Sequence, residues 1–191
     1  MIVFEGVSGT GKETQAKLLQ KFLKKKRITS HIIFHPSPEL KVILSSWRKE
    51  RRISPQTETY LLLADRSSRV EQIILPALAK GEWVISLRNW VSALAYQGKT
   101  ISDRTWISRE FARFEPEADR LFYFDIDPNE AMVRVMIRHK KTGEQLGHFE
   151  TTKFLVEKRR NYIHVLKTIS HITIDASQSI EKIHEQIVQR I

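Results

Sequence analysis

The chain has 191 residues, of which 32 are Lys or Arg and 22 are Asp or Glu, so its formal net charge is +10. This length predicts a single domain over residues 1–191, and the 41% apolar content excludes disordered and collagen-like chains. Because cysteine is absent, disulfide frameworks and thiolate sites are excluded and the cytoplasm is the expected compartment. The charge favours polyanionic partners, which are nucleotides, nucleic acid or an anionic membrane surface.

Two of these partner classes find little further support in the sequence. No apolar stretch approaches the ~20 residues that span a bilayer, and the opening run 1–4 is too short for a signal peptide, so we expect a soluble, unprocessed protein with no membrane partner. The basic cluster 21–27 is typical of a solvated helix end and has no interleaved aromatic platform. We therefore expect no nucleic-acid partner.

Short apolar runs alternate along the chain with longer segments of helical spacing. The apolar runs are residues 1–5, 31–34, 83–87, 121–126 and 172–174, and the helical segments are 12–26, 57–80, 128–139 and 152–169. Strands that alternate with helices predict an α/β fold with a parallel sheet covered on both faces. Pro128 fits the first turn of a helix, and Gly81 fits the end of one.

The segment 140–150 contains two glycines and several charges but no apolar periodicity. These features are typical both of a passive surface loop and of a mobile lid. The residues alone leave both interpretations open.

A glycine-rich segment lies between the first predicted strand and the first predicted helix. Three of the chain's seven glycines fall within six positions there, and Lys12 follows the last of them. Glycines let backbone N–H groups turn inward around an anion, and Lys12 can then reach the β and γ phosphates of ATP. An ordinary glycine-rich turn is the alternative. The predicted ATP-binding residues are Gly6, Ser8, Gly9, Thr10, Gly11, Lys12, Glu13 and Thr14.

Several motifs, in their order and spacing, resemble the thymidylate kinase family. They are Phe4-Glu5-Gly6, Gly11-Lys12, Thr14-Gln15, the run Leu61-Leu62-Leu63-Ala64-Asp65-Arg66, Pro76-Ala77-Leu78, Ala95-Tyr96-Gln97-Gly98, Phe124-Asp125-Ile126-Asp127-Pro128 and Ile174-Asp175-Ala176. The resemblance implies a P-loop NTPase fold with a five-stranded parallel sheet and a short lid at about 140–150. It also implies a homodimer that uses ATP and Mg²⁺ to phosphorylate a deoxynucleoside monophosphate, most simply dTMP to dTDP.

The acceptor site is predicted around Arg88, which directly follows an apolar run at the carboxyl end of a strand. A guanidinium there can hold a phosphate with two hydrogen bonds. The resemblance implies that Arg88 binds the acceptor phosphate, that Arg66 contacts the base and that the Tyr96 ring discourages a ribose 2′-hydroxyl. The remaining predicted acceptor contacts are Leu62, Ser92 and Gln97.

Two further arginines are predicted at the ATP phosphates. Arg134 and Arg138 are four residues apart and share one helix face. We assign Arg134 to ATP binding and Arg138, with Lys12 and Arg88, to catalysis, because cations that close over the phosphates neutralise the developing charge.

The sequence also departs from the family pattern at positions that the family uses to bind the metal ion and the base. The family usually has acids where this chain has Ser8 and Leu87, and Glu13 stands where the phosphate loop usually has a hydroxyl. An apolar Leu62 replaces the aromatic that stacks on thymine. The metal ligands are therefore left unassigned. Three alternatives stay open: a kinase of another monophosphate, a catalytically impaired nucleotide-binding relative, and a nucleic-acid binder.

Overall fold

The computed structural model describes residues 1–50, 52–143 and 150–191. Five parallel strands form one sheet in the order β2-β3-β1-β4-β5. The strands are β1 (Ile2–Glu5), β2 (Ser30–Phe34), β3 (Trp83–Leu87), β4 (Arg120–Asp125) and β5 (Ile172–Asp175). The predicted α/β fold with a five-stranded parallel sheet is confirmed.

Helices connect the strands. They are α1 (Lys12–Lys25), α2 (Pro38–Lys49), α3 (Pro55–Arg69), α4 (Leu75–Ala79), α5 (Trp90–Gln97), α6 (Ile101–Phe111), α7 (Pro128–Thr142), α8 (Thr152–Leu166) and α9 (Ile180–Val188). A π-helical turn, Val70–Ile74, joins α3 to α4. Within the described ranges, no helix is both long and apolar enough to cross a membrane.

The predicted strands lie within two residues of the observed ones, whereas several helices were not predicted. Helix α5 is buried on most of its surface, so it lacks the one-sided apolar spacing that identifies a surface helix. Helix α9 had a readable signal, because Ser179 caps it and Ile183 and Ile187 are buried four residues apart. Pro128 lies in the first turn of α7, as predicted.

The lid predicted at 140–150 is described only at its two ends. Helix α7 continues to Thr142, and Gly143 ends it with a left-handed φ of 71°. Residues 144–149 lie outside the described residues.

The central strand β1 anchors the core. Val3 and Phe4 are fully buried, and the Phe4 ring makes edge contacts with Phe122 at 5.7 Å and Phe124 at 5.1 Å between centroids. Aromatic pairs in this geometry contribute about 0.5–1.5 kcal/mol each beyond their buried area. This packing fixes the carboxyl end of β1, where Glu5 and Gly6 begin the glycine-rich segment.

Candidate active site

The carboxyl ends of three neighbouring strands form the edge that carries the candidate site. Phe4 of β1 pairs with Leu87 of β3 on one side and with Phe122 of β4 on the other. The backbone N–H of Arg88 donates to the Phe4 carbonyl at 3.0 Å. The glycine-rich loop and Arg88 therefore begin side by side, as is typical of ligand sites in parallel sheets.

The loop needs glycine where its backbone approaches other elements. Gly9 has a φ of +84°, and a Cβ there would lie 2.3 Å from the carbonyl oxygen of Ala131 on α7. At Gly6, with a φ of +139°, a Cβ would lie 2.6 Å from the Phe124 carbonyl oxygen. Both contacts are too close for any side chain, so the loop is packed between β4 and α7.

Lys12 lies in the first turn of α1 and folds back over the loop. Its ammonium donates to the Val7 carbonyl at 2.6 Å and to Thr10 Oγ1 at 2.8 Å. The charge is thus held above the loop at a helix N-terminus, an arrangement that suits a polyphosphate.

The three cations predicted to be catalytic lie close enough to influence one another. Burial lowers the pKa of Lys12 well below its usual value, and the charges of Arg88 and Arg138 lower it further. The carboxylate of Glu5 acts in the opposite direction. A bound anion would relieve the repulsion among the three cations.

Glu5 was not among the predicted site residues. Its buried carboxylate accepts hydrogen bonds from several groups at this edge of the sheet. Its Oε1 accepts from the backbone N–H groups of Asn89 at 2.8 Å and Ser92 at 3.2 Å. Its Oε2 accepts from Ser92 Oγ at 2.6 Å and from the Tyr162 hydroxyl at 2.8 Å. One carboxylate therefore connects β1 to the start of α5 and to α8.

Arg88 points into the same cluster. Its Nη1 donates to Ser92 Oγ at 3.1 Å and to the Tyr162 hydroxyl at 2.7 Å, while Nη2 is 3.4 Å from the Tyr96 hydroxyl. Burial alone would lower the pKa of Arg88, but Tyr162, Tyr96 and Glu5 outweigh it and raise that pKa. Arg88 is therefore a fixed cation beside two of the predicted acceptor contacts, Ser92 and Tyr96.

Tyr162 is the second site residue that sequence reasoning missed. Its hydroxyl contacts Glu5, Ser92 and Arg88, and its ring packs edge-on against Tyr96 at 6.1 Å between centroids. It lies in the middle of α8 with no motif around it, so nothing in its local sequence distinguished it from a core tyrosine.

Two predicted acceptor residues turn toward the helices α2 and α3. Gln97 Nε2 donates to Glu58 Oε1 at 2.6 Å, and Arg48 also pairs with Glu58. Leu62 packs with Leu40 and Leu44 in a small apolar cluster between α2 and α3. The contacts predicted for Gln97 and Leu62 stay predictions.

Arg66 lies inside the fold. Its side chain is 0% exposed, and Nε and Nη2 donate to the two carboxylate oxygens of Glu115 at 2.7 and 2.6 Å. Its Nη1 donates to Ser86 Oγ at 3.0 Å. In this arrangement all three nitrogens have partners within the protein, and the base contact implied by the resemblance stays a prediction.

The two arginines of α7 point in different directions. Arg134 donates to the Ala176 carbonyl, just after β5, at 2.7 Å and to Glu130 at 2.7 Å. Arg138 pairs with Glu150, which also contacts His139 at 2.7 Å. Arg134 therefore borders the loop side of α7, and Arg138 joins the two described ends of the predicted lid.

The described side chains at this edge do not assemble into a cluster of metal ligands. No group of three His, Asp or Glu residues within the described part of the chain could hold a metal. Glu13 pairs with Lys17 at 2.7 Å, and Leu87 is a core residue with 6% exposure. Because Mg²⁺ is usually held by one or two carboxylates together with phosphate and water oxygens, the metal ligands stay unassigned.

The chain is similar to known proteins over nearly its whole length. The family model described as thymidylate kinase matches residues 4–187. The chain belongs to the thymidylate kinase family. The thymidylate kinase of Coprothermobacter proteolyticus is 35% identical over 193 residues, covering 100% of this chain and 97% of that protein.

Further relatives within the thymidylate kinase family also match nearly the whole chain. The probable thymidylate kinase of Thermococcus gammatolerans is 35% identical over 199 residues, covering 98% of this chain and 93% of the relative. The thymidylate kinase of Fervidobacterium nodosum is 33% identical over 193 residues, covering 98% of this chain and 96% of that protein. The resemblance that the motifs predicted is confirmed over nearly the whole chain.

The loop geometry gives a first testable prediction. Gly9→Ala should destabilise the protein by about 1–3 kcal/mol more than Gly81→Ala, as overpacking against Ala131 adds to the cost of a left-handed backbone. Gly81 is the matched control, because it has a φ of +72° but a Cβ there would meet none of the described residues within 4 Å. Urea unfolding of both variants measures the difference, and equal losses would contradict the close approach of the loop to α7.

Proposed function

We propose that this protein transfers the γ-phosphate of ATP to a deoxynucleoside monophosphate, with dTMP as the acceptor and dTDP as the product. The observation that carries the proposal is the position of Lys12 and Arg88, which follow the neighbouring strands β1 and β3 at one sheet edge, next to a glycine-rich loop. The names of the relatives, which are thymidylate kinases, support dTMP as the acceptor.

On the donor side, the loop residues Gly6–Thr14 would surround the ATP phosphates with backbone N–H groups. Lys12 would exchange its contacts with Val7 and Thr10 for the β and γ phosphates, since a phosphate is a stronger acceptor than a carbonyl. Arg134, beside the loop that follows β5, would border the rest of the nucleotide.

On the acceptor side, Arg88 would hold the monophosphate, with Ser92 and Tyr96 beside it. This contact would be strong, because Arg88 is partly buried and charge-assisted hydrogen bonds to a phosphate are stronger than neutral ones. The Tyr96 ring, packed against Tyr162 and Phe154, is fixed in position and would border the sugar.

Transfer would then depend on orientation and charge. Lys12 and Arg88 would hold donor and acceptor phosphates in line, and Arg138 would stabilise the charge that develops on the transferred group. The phosphates of ATP would supply oxygen ligands to Mg²⁺, as is usual for this ion.

The proposal also includes the compartment and the oligomeric state of the protein. We propose a cytoplasmic homodimer, in line with the absence of cysteine and with apolar side chains exposed on α3, α4 and α6, which include Tyr60 at 55% and Ile101 at 77% exposure. Light scattering after size-exclusion chromatography would give the mass of a dimer.

The experiment that tests the activity is a phosphoryl-transfer assay with ATP, Mg²⁺ and a panel of nucleoside monophosphates. The proposal expects turnover with dTMP within the ~1–100 s⁻¹ usual for kinases, and higher kcat/KM for dTMP than for any other member. Preference for another monophosphate would reject dTMP, and ATP binding without any turnover would reject the kinase.

Lys12→Met tests the donor side. Removing the ammonium while keeping the aliphatic stem should lower kcat by about 10²–10³-fold, the usual loss for one preorganised charge-stabilising donor. The Tm should change little, because the ammonium contacts only loop acceptors. Lys21→Met, on the exposed side of the same helix, is the control. Full activity in Lys12→Met would contradict the assignment.

Arg88→Ala tests the acceptor side. Loss of a charge-assisted phosphate contact worth roughly 1.5–3 kcal/mol should raise the acceptor KM about 10–100-fold and also lower kcat. The KM for ATP should stay close to that of the wild type. Arg120→Ala removes a charge at the opposite end of the sheet and controls for net charge. If only the ATP KM changes, Arg88 belongs to the donor side.

A further inference from the structure

A buried chain of hydrogen bonds leads from Glu115 to the backbone of Arg88. The Glu115 carboxylate accepts from Nε and Nη2 of Arg66, and Arg66 Nη1 donates to Ser86 Oγ at 3.0 Å. Ser86 Oγ in turn donates to the Arg88 carbonyl at 2.6 Å. Glu115, Arg66 and Ser86 are all buried, so water does not compete for these bonds.

The direction of each bond in this chain is determined by chemistry. A guanidinium only donates, so the Ser86 hydroxyl must accept from Arg66 and its proton must go to another acceptor. The Arg88 carbonyl, at 2.6 Å, is that acceptor. Because the donor to Ser86 is a cation, the hydroxyl is polarised and its own bond is strengthened.

The chain of hydrogen bonds ends at the backbone of Arg88, which has an unfavourable conformation. Arg88 has a φ of +76°, in the left-handed region, which costs a residue with a side chain about 1–2 kcal/mol. Its N–H donates to Phe4 and its carbonyl accepts from Ser86. Both hydrogen-bonding groups of the strained residue are therefore held.

This backbone conformation decides where the Arg88 side chain goes. Side chains alternate between the faces of a strand, and a left-handed residue directly after β3 interrupts that alternation. From this position the guanidinium reaches Ser92 and Tyr162. A shift of the backbone would move the guanidinium away from them, since misplacements of about 1 Å already cost much of a positioned contact.

We propose that Glu115, Arg66 and Ser86 are positioning residues for the acceptor phosphate. Held by Glu115, Arg66 fixes the Ser86 hydroxyl, and Ser86 fixes the backbone from which Arg88 reaches the phosphate. The inference rests on the proposed function, because Arg88 is taken as the phosphate contact. It gives Arg66 a role that is independent of the base of the acceptor.

The strength of the phosphate contact can be measured without turnover. The ratio of the Kd of thymidine to the Kd of dTMP, both from calorimetry, reports how much the phosphate adds to binding. Ser86→Ala, which is compatible with a buried strand, should lower this ratio about 5–20-fold. The Kd of thymidine itself and the KM of ATP should stay within about twofold of the wild type.

Arg66→Lys tests the next step along the chain. A lysine keeps a positive charge opposite Glu115 but cannot reproduce the two-pronged contact and reach Ser86 with a third nitrogen. It should lower the same ratio in the same direction. The kcat/KM of dTMP relative to dUMP should not change, because the phosphate is common to both acceptors.

Thr59→Val is the matched control for stability. The Thr59 hydroxyl is also buried and donates to a backbone carbonyl, that of Pro55 at 2.9 Å, but it has no connection to Arg88. It should lower Tm by an amount comparable to Ser86→Ala and leave the binding ratio unchanged.

Four outcomes would overturn the inference. An unchanged ratio in Ser86→Ala would show that the hydroxyl does not support Arg88. A change in the preference between dTMP and dUMP in Arg66→Lys, with an unchanged ratio, would make Arg66 a base contact. A wild-type ratio near one would show that the phosphate adds nothing to binding, which would reject the proposed function as well. A high wild-type ratio that no variant lowers would reject only the positioning role of Glu115, Arg66 and Ser86.

Discussion

The buried carboxylate of Glu5 is the interaction on which the candidate site depends. It accepts four hydrogen bonds from the start of α5 and from α8, and thereby holds β1, α5 and α8 in one arrangement. It also lies near Lys12 and Arg88, whose charges would otherwise repel each other in a partly desolvated space. A carboxylate can be buried when it is hydrogen-bonded and paired in this way. The fold thus contains an anionic centre around which its cations can be placed.

The same edge contains two different means of placing a cation. Lys12 is placed by a glycine loop whose backbone approaches Ala131 and Phe124 too closely for side chains. Arg88 is placed by a left-handed backbone held by hydrogen bonds on both sides. Both devices fix the charge before any ligand binds, so the cost of orienting it is included in folding and not in binding.

The sequence allowed the sheet, the glycine-rich loop and the family to be predicted, because each leaves a local pattern. Apolar runs predicted the strands, and glycine spacing predicted the loop ahead of α1. The roles of Glu5 and Tyr162 could not be predicted, because their partners are 84–157 and 70–157 positions away in the chain. The pairing of Arg66 with Glu115, 49 positions apart, was hidden for the same reason. A motif can identify an arginine, but only the fold decides what it contacts.

The central claim is that donor and acceptor phosphates meet in one continuous site between Lys12 and Arg88. A ligand that joins adenosine to thymidine through five phosphates tests it most directly, with its Kd measured by calorimetry beside those of ATP and dTMP. Because linking two adjacent ligands makes the second contact intramolecular, this account predicts binding about 10²–10⁴-fold tighter than that of the better single nucleotide. Binding no tighter than that of the better single nucleotide would contradict a shared site.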